Sequence, residues 1–232
     1  MKNVLITGIS KGIGYALMER FLTEGYKVIG TYLNTPISYS HENLTMFKLD
    51  LLESQSIEKC VNDIAALEVK IDIVVNNAGA LLDEDETRVN IEKLRETLEI
   101  NLIGTIDWTE RNILILSDSA HIVNISSSAG SLGGKKETEI EFANSSHFPF
   151  HYPAYKISKT ALNMYTRTLA ARFIHEKKDI IVSSIHPGWV KTDMGGPEAD
   201  IEPSEAAEHI YRLAISRPET GQFWFEGKKY PW

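Results

Sequence analysis

Short apolar runs alternate with stretches in which apolar residues recur every three or four positions, and this alternation spans the chain. Val4-Leu5-Ile6 is the first run, followed by the glycine-rich Thr7 to Gly14 and then by helical spacing from Tyr15 to Thr23. Lys27 to Tyr32, Leu44 to Leu49, Ile71 to Val75, Ala120 to Ile125, Ile180 to Ile185 and Gln222 to Phe225 read as further strands. Helical periodicity covers Ser54 to Leu67, with Ile57, Val61, Ile64 and Ala65 on one face and Ser54 placed as a cap. It returns from Ile91 to about Leu116, broken near Gly104, and from Glu202 to Ser216. Between these lies Pro153 to about His175, where Pro153 suits a first turn. The strands are apolar on both faces, as in a parallel sheet covered by helices on both sides. The expected fold is therefore α/β: one domain over residues 1–232, a Rossmann-type doubly wound parallel sheet of about seven strands. One irregular insertion, at about 131–152, carries a charged run (Lys135 to Glu141) and an aromatic-histidine run (His147 to Tyr152).

Composition narrows the function. With 232 residues and 43% hydrophobic content, the chain can bury a large core in one domain. A net charge of −8 with scattered basic residues argues against a nucleic-acid partner. Cys60 is the single cysteine, so it reads as a small core residue in a reducing, cytoplasmic compartment. His147, His151 and His186 lack a metal-binding spacing, and no metal is expected. No run approaches the ~20 apolar residues of a membrane span, and the N-terminal run is too short for a signal peptide.

Two stretches carry candidate chemistry. Gly8, Gly12 and Gly14 lie between the first strand and the first helix. There a glycine turn lets the backbone approach a diphosphate, and the helix N-terminus offers free N–H groups and a positive dipole. The spacing G-x-x-x-G-x-G differs from the common G-x-G-x-x-G fingerprint. Tyr155 and Lys159 are four apart on a predicted helix and face the same way. An ammonium beside a phenol favours the phenolate, which suits a group that exchanges protons near neutral pH.

Thr7-Gly8-x-x-x-Gly12-x-Gly14, Asn76-Asn77-Ala78-Gly79, the Ser127 segment, Tyr155-x-x-x-Lys159 and Pro187-Gly188 occur in that order. Together they resemble the short-chain dehydrogenase/reductase family over essentially the full chain. His186-Pro187-Gly188-Trp189-Val190-Lys191-Thr192-Asp193-Met194-Gly195-Gly196 and the ending Pro231-Trp232 resemble its C-factor and sniffer-type carbonyl reductase branch.

The resemblance implies an NADP-dependent oxidoreductase that reduces an aldehyde or ketone to an alcohol. It makes Tyr155 the general acid, Lys159 the group that lowers the Tyr155 pKa and holds the nicotinamide ribose, and Ser127 the donor to the substrate oxygen. Ser127 is chosen over Ser126 and Ser128 because it stands three before Gly130. Asn101 matches the family asparagine that holds a water leading to Lys159. The dinucleotide would be held by Gly8, Ser10, Lys11, Gly12, Ile13 and Gly14. Asp50 and Leu51 would flank the adenine, and Asn77, Ala78 and Gly79 would line its ribose region. Ile125, Pro187, Gly188, Val190 and Thr192 would lie at the nicotinamide end. The second strand ends at Thr31-Tyr32-Leu33-Asn34 without the acid that holds an NAD ribose, and Lys11 adds a basic residue. NADP(H) is thus favoured over NAD(H). The expected partner is a small carbonyl or alcohol substrate. A homodimer or homotetramer is expected, with a monomer open because such insertions cover an oligomer helix in carbonyl reductases. The other reading is a non-catalytic dinucleotide-binding regulator of C-factor type.

Overall fold

The computed structural model describes residues 1–133 and 150–232. The predicted run Lys135 to Glu141, and His147 and Phe148 of the aromatic-histidine run, lie outside the described residues.

The chain alternates strand and helix in the predicted order. It runs β1 (Asn3–Ile6), α1 (Gly12–Thr23), β2 (Lys27–Tyr32), β3 (Leu44–Lys48), α2 (Ser54–Ala65), β4 (Ile71–Asn76), α3 (Ile91–Leu98) and α4 (Gly104–Asn112). It continues with β5 (Leu116–Ile125), α5 (Pro153–His175), β6 (Ile181–Ile185), α6 (Pro203–Ile215), β7 (Gln222–Phe225) and β8 (Lys228–Lys229). The sheet order is β3-β2-β1-β4-β5-β6-β7-β8. All neighbours are parallel except β7 and β8. The order reverses between β1 and β4, which opens a crevice at their carboxyl ends.

Both faces of the sheet are buried. Val4 and Ile6 point to one side with Leu17, Phe21 and Ile210 from α1 and α6. Leu5 and Val74 point to the other with Ile57, Cys60, Trp108, Leu169 and Phe173 from α2, α4 and α5. The period-two alternation thus sends neighbouring apolar residues into two different cores. No helix among the described residues is long and apolar enough to cross a membrane.

Two local details differ from the sequence reading. The sheet has eight strands among the described residues, because Glu226 and Gly227, both at positive φ, turn β7 back into a short antiparallel β8. Ser54 is not a cap: the residue before α2 is Glu53, and the Ser54 hydroxyl instead donates to Asp107 at 3.3 Å. The break expected near Gly104 takes the form of a π-helical turn, Glu99–Ile103, just ahead of it. Gly104 itself is required, since a Cβ there would overlap the Leu51 carbonyl oxygen.

His121 on β5 is a buried titratable group, 4% exposed. Its Nδ1 lies 3.1 Å from Ala214 O and its Nε2 3.0 Å from Ser183 Oγ. Burial pushes its pKa down from 6.5 to about 4. Folding therefore favours the neutral ring, and the associated stability is present above pH 6.5 and lost as pH falls towards 4. At pH 5 this costs about 2 kcal/mol by linkage. His121→Gln should therefore lose less thermal stability between pH 7 and pH 5 than the wild type; equal drops would exclude His121 as the source.

Candidate active site

The crevice at the switch in strand order is built first from backbone. Gly8 (φ +74°) and Gly12 (φ +57°) occupy left-handed conformations that glycine adopts without strain. Gly14 brings α1 against the turn, since a Cβ would overlap Gly8 O and sit 2.6 Å from Asn77 Nδ2. No side chain caps the start of α1, and its first turn contains no acid. An uncapped helix N-terminus behind a glycine cradle presents N–H groups and positive dipole to an anion, which is what a diphosphate requires.

The Asn76-Asn77-Ala78-Gly79 turn is knotted to that cradle. Asn77 Nδ2 donates to Thr7 O at 2.9 Å and Gly8 O at 3.1 Å. Thr7 Oγ1 accepts from the N–H groups of Asn77 and Ala78, both at 3.0 Å. Thr31 Oγ1 accepts from Gly8 N at 3.3 Å. Thr7 and Thr31 hold the cradle without lining it. Thr7 stands directly before the first glycine, a signal the sequence offered, whereas Thr31 is placed only by strand pairing.

Further along the crevice, Asp50 Oδ1 accepts from Leu52 N at 3.0 Å, and Leu51 is buried in the α2/α4/α5 core. The Leu51 side chain is thus committed to the core. After β6, Pro187 is buried and Gly188 takes φ +96°. Val190, also buried, pairs with Ile201 and leads to Thr192, which packs over Gly12. Lys11 reaches across to form an ion pair with Asp193, both side chains being exposed. Ser10 is exposed and Ile13 partly buried at the same turn. The segment after β6 therefore lies over the glycine turn.

The reactive cluster lies where β5 and α5 meet. Ser127 extends from the end of β5, and its Oγ accepts from Ala129 N at 3.1 Å. Its side chain also faces the Tyr155 phenol closely enough to draw the phenol's pKa down in part. Ser126, by contrast, is buried with its Oγ 3.5 Å from Lys159 O, and Ser128 begins a short 3₁₀ turn. Ser127 is thus the serine brought to Tyr155. Lys159 Nζ lies 5.5 Å from the Tyr155 ring centre and donates to Ile125 O at 2.9 Å. Asn101 sits in the π turn. Its Oδ1 accepts from Ala80 N at 2.7 Å, and its Nδ2 donates to Ala80 O at 2.8 Å and Ser158 Oγ at 3.1 Å. A Cβ on Gly79 would stand 3.2 Å from Asn101 Oδ1 and 3.5 Å from Lys159 Nζ, so the turn closes directly on the cluster.

The electrostatics depart from the sequence reading, which had Lys159 lowering the Tyr155 pKa. Burial pushes the Tyr155 phenol up to about 12, only partly offset by the nearby Ser127 hydroxyl. Burial brings the Lys159 ammonium down to about 8. The physical reason is that Nζ lies over the ring and is bonded to Ile125 O, while both groups lose water on the same inner face.

Known proteins resemble this chain. A family model described as enoyl-(acyl carrier protein) reductase matches residues 8–217. Carbonyl reductase (NADPH) 1 of Rattus norvegicus is 28% identical over 274 residues, covering 98% of this chain and 97% of the relative. (+)-Neomenthol dehydrogenase of Capsicum annuum is 26% identical over 288 residues, covering 91% of this chain and 90% of the relative. The solved structure of carbonyl reductase Sniffer of D. melanogaster has a TM-score of 0.85 and 26% identity, covering 100% of both chains. The family model spans most of the chain and these relatives align nearly end to end, so the chain belongs to the short-chain dehydrogenase/reductase family of oxidoreductases.

Proposed function

We propose that this protein is an NADPH-dependent reductase of an aldehyde or ketone, with Tyr155 as the proton donor. The observation that carries the reading is the grouping of Ser127, Tyr155 and Lys159, with Lys159 Nζ 5.5 Å from the Tyr155 ring centre, at the strand ends that also carry the uncapped glycine cradle. Relatives named as carbonyl reductases, one of them as using NADPH, support it. The absence of an acid after β2, at Leu33, supports NADPH over NADH.

When bound, NADPH supplies a hydride to the carbonyl carbon. The chain supplies the rest. Ser127 donates a hydrogen bond to the carbonyl oxygen and stabilises the charge that develops there. Tyr155 gives its phenolic proton to that oxygen. With a pKa of about 12, the phenol is protonated at neutral pH, only about one molecule in 10⁵ being phenolate. Transfer to an alkoxide is downhill, because water, an acid of comparable weakness, has a pKa near ~15.7. Lys159, mostly protonated at pH 7, holds its ammonium beside the Tyr155 ring and on Ile125 O, where it would meet the nicotinamide ribose. Lys159→Ala should weaken NADPH binding by about tenfold and lower kcat by about 10²-fold, the scale of one lost charged hydrogen bond in each state. Unchanged values of both would remove Lys159 from the site.

The test follows NADPH oxidation at 340 nm with a panel of aldehydes, ketones, quinones and an enoyl thioester. Turnover on a carbonyl, with NADH used less well, is the expected result. Turnover of the thioester alone would move the chain to the activity that the family model names. Tight NADPH binding with no turnover would make it a dinucleotide-binding regulator.

A further inference from the structure

The catalytic helix lacks a cap of its own. α5 is preceded by Tyr152 at φ 44°, which makes no side-chain cap, and its first residue, Pro153, has no N–H. The N–H groups of the next two positions, Ala154 and Tyr155, are the ones an N-cap side chain normally satisfies. A distant residue meets both. Asp83 Oδ2 accepts from Ala154 N at 2.6 Å, and Asp83 Oδ1 accepts from Tyr155 N at 3.3 Å. Among the described residues Asp83 is the one fully buried carboxylate, 1% exposed. Burying a charge is costly unless it is hydrogen-bonded, and here two N–H groups and the positive end of a 23-residue helix receive it.

Asp83 sits on the connection between β4 and α3, and that connection is fixed at both ends. Ala80 pairs through N and O with the Asn101 side chain. Glu86 O accepts from Tyr152 N at 3.0 Å, while the Glu86 carboxylate pairs with Lys93 at 2.9 Å. A continuous strap thus runs from the dinucleotide turn at Gly79, through Asp83, to the first turn of the helix that carries Tyr155.

We propose that Asp83 is a positioning residue for the reaction. It caps the Tyr155 helix from a remote segment and holds the phenol in register with Ser127 and the cofactor turn. The consequence for turnover rests on the reductase reading above. First turns fray without a cap, and Tyr155 lies in that turn. A misplacement of about 1 Å at a reacting group costs on the order of 10²-fold in rate.

The experiment compares Asp83→Ala and Asp83→Asn with the wild type for kcat on a carbonyl from the panel, NADPH Kd by fluorescence, and exchange of the Ala154 and Tyr155 amides. Asp83→Ala should lower kcat by roughly 10–100-fold with NADPH Kd within about twofold, while Asp83→Asn, which keeps one acceptor, recovers most of kcat. Unchanged kcat, or parallel loss of kcat and NADPH affinity without rescue by Asn, would overturn the proposal. If the alanine variant does not fold, amide exchange in the wild type decides. Slow exchange at Ala154 and Tyr155 supports the cap, and exchange as fast as in an open first turn overturns it. A wild type with no carbonyl turnover would defeat the reductase reading, and amide exchange would still decide the cap.

Discussion

Tyr155→Phe should bind NADPH with an unchanged Kd and lose about 10³–10⁴-fold in kcat, the upper range for removing a general acid. The ring stays, so its contact with Tyr152, at 6.2 Å between centroids, and the packing around Lys159 are kept. Only the oxygen that meets Ser127 is lost. Deletion of that atom leaves the carbonyl oxygen with the Ser127 donor and no proton. Tight-binding titration alongside 340 nm turnover reads both quantities. Retained kcat would remove Tyr155 from the chemistry, and parallel loss of Kd would make it a binding residue.

Gly14→Ala carries the second large effect, on the other half of the site. The added methyl would overlap Gly8 O and press on Asn77 Nδ2, so either α1 moves off the turn or the turn opens. Each outcome separates the cradle from the Asn77-Ala78-Gly79 knot. NADPH affinity should fall by at least about 10²-fold, since closely aimed N–H groups lose their geometry when displaced by even a fraction of an ångström. Gly25→Ala is the control. Gly25 has positive φ (+78°), which the helical Gly14 does not, and nothing lies within 4 Å of the added Cβ. It should cost about 1 kcal/mol in stability and leave NADPH binding intact. Equal losses of affinity in both variants would show that strain, not the cradle, is being measured.

Much of this was readable from local pattern. The apolar runs and helical spacings located the first seven strands and the helices in order, because burial on both faces of a parallel sheet leaves continuous apolar runs. The glycine turn and the Tyr155–Lys159 pair were legible through spacing and Ser127 through the family resemblance, and the structure gathers them at adjacent strand ends. What escaped the sequence depends on partners far away in the chain. β8 has only two residues and exists through its pairing with Trp224 and Phe225. The π turn at Asn101 is fixed by Ala80 and Ser158. Ser54 had the right residue type for a cap, but its hydroxyl found Asp107 instead. Asp83 is an ordinary loop aspartate until α5 is laid across it. The Tyr155 pKa was misjudged because a helical spacing shows that two side chains are neighbours without showing how much water both lose.

The most direct measurement follows the hydrogen itself. NADPH deuterated at nicotinamide C4 is incubated with the protein and a carbonyl, and the alcohol product is analysed by mass spectrometry. A reductase of the kind described here places one deuterium on the carbinol carbon while the hydroxyl hydrogen comes from solvent, and Tyr155→Phe abolishes product. Carbonyl recovered unchanged, with NADPH tightly bound and its label intact, would contradict it.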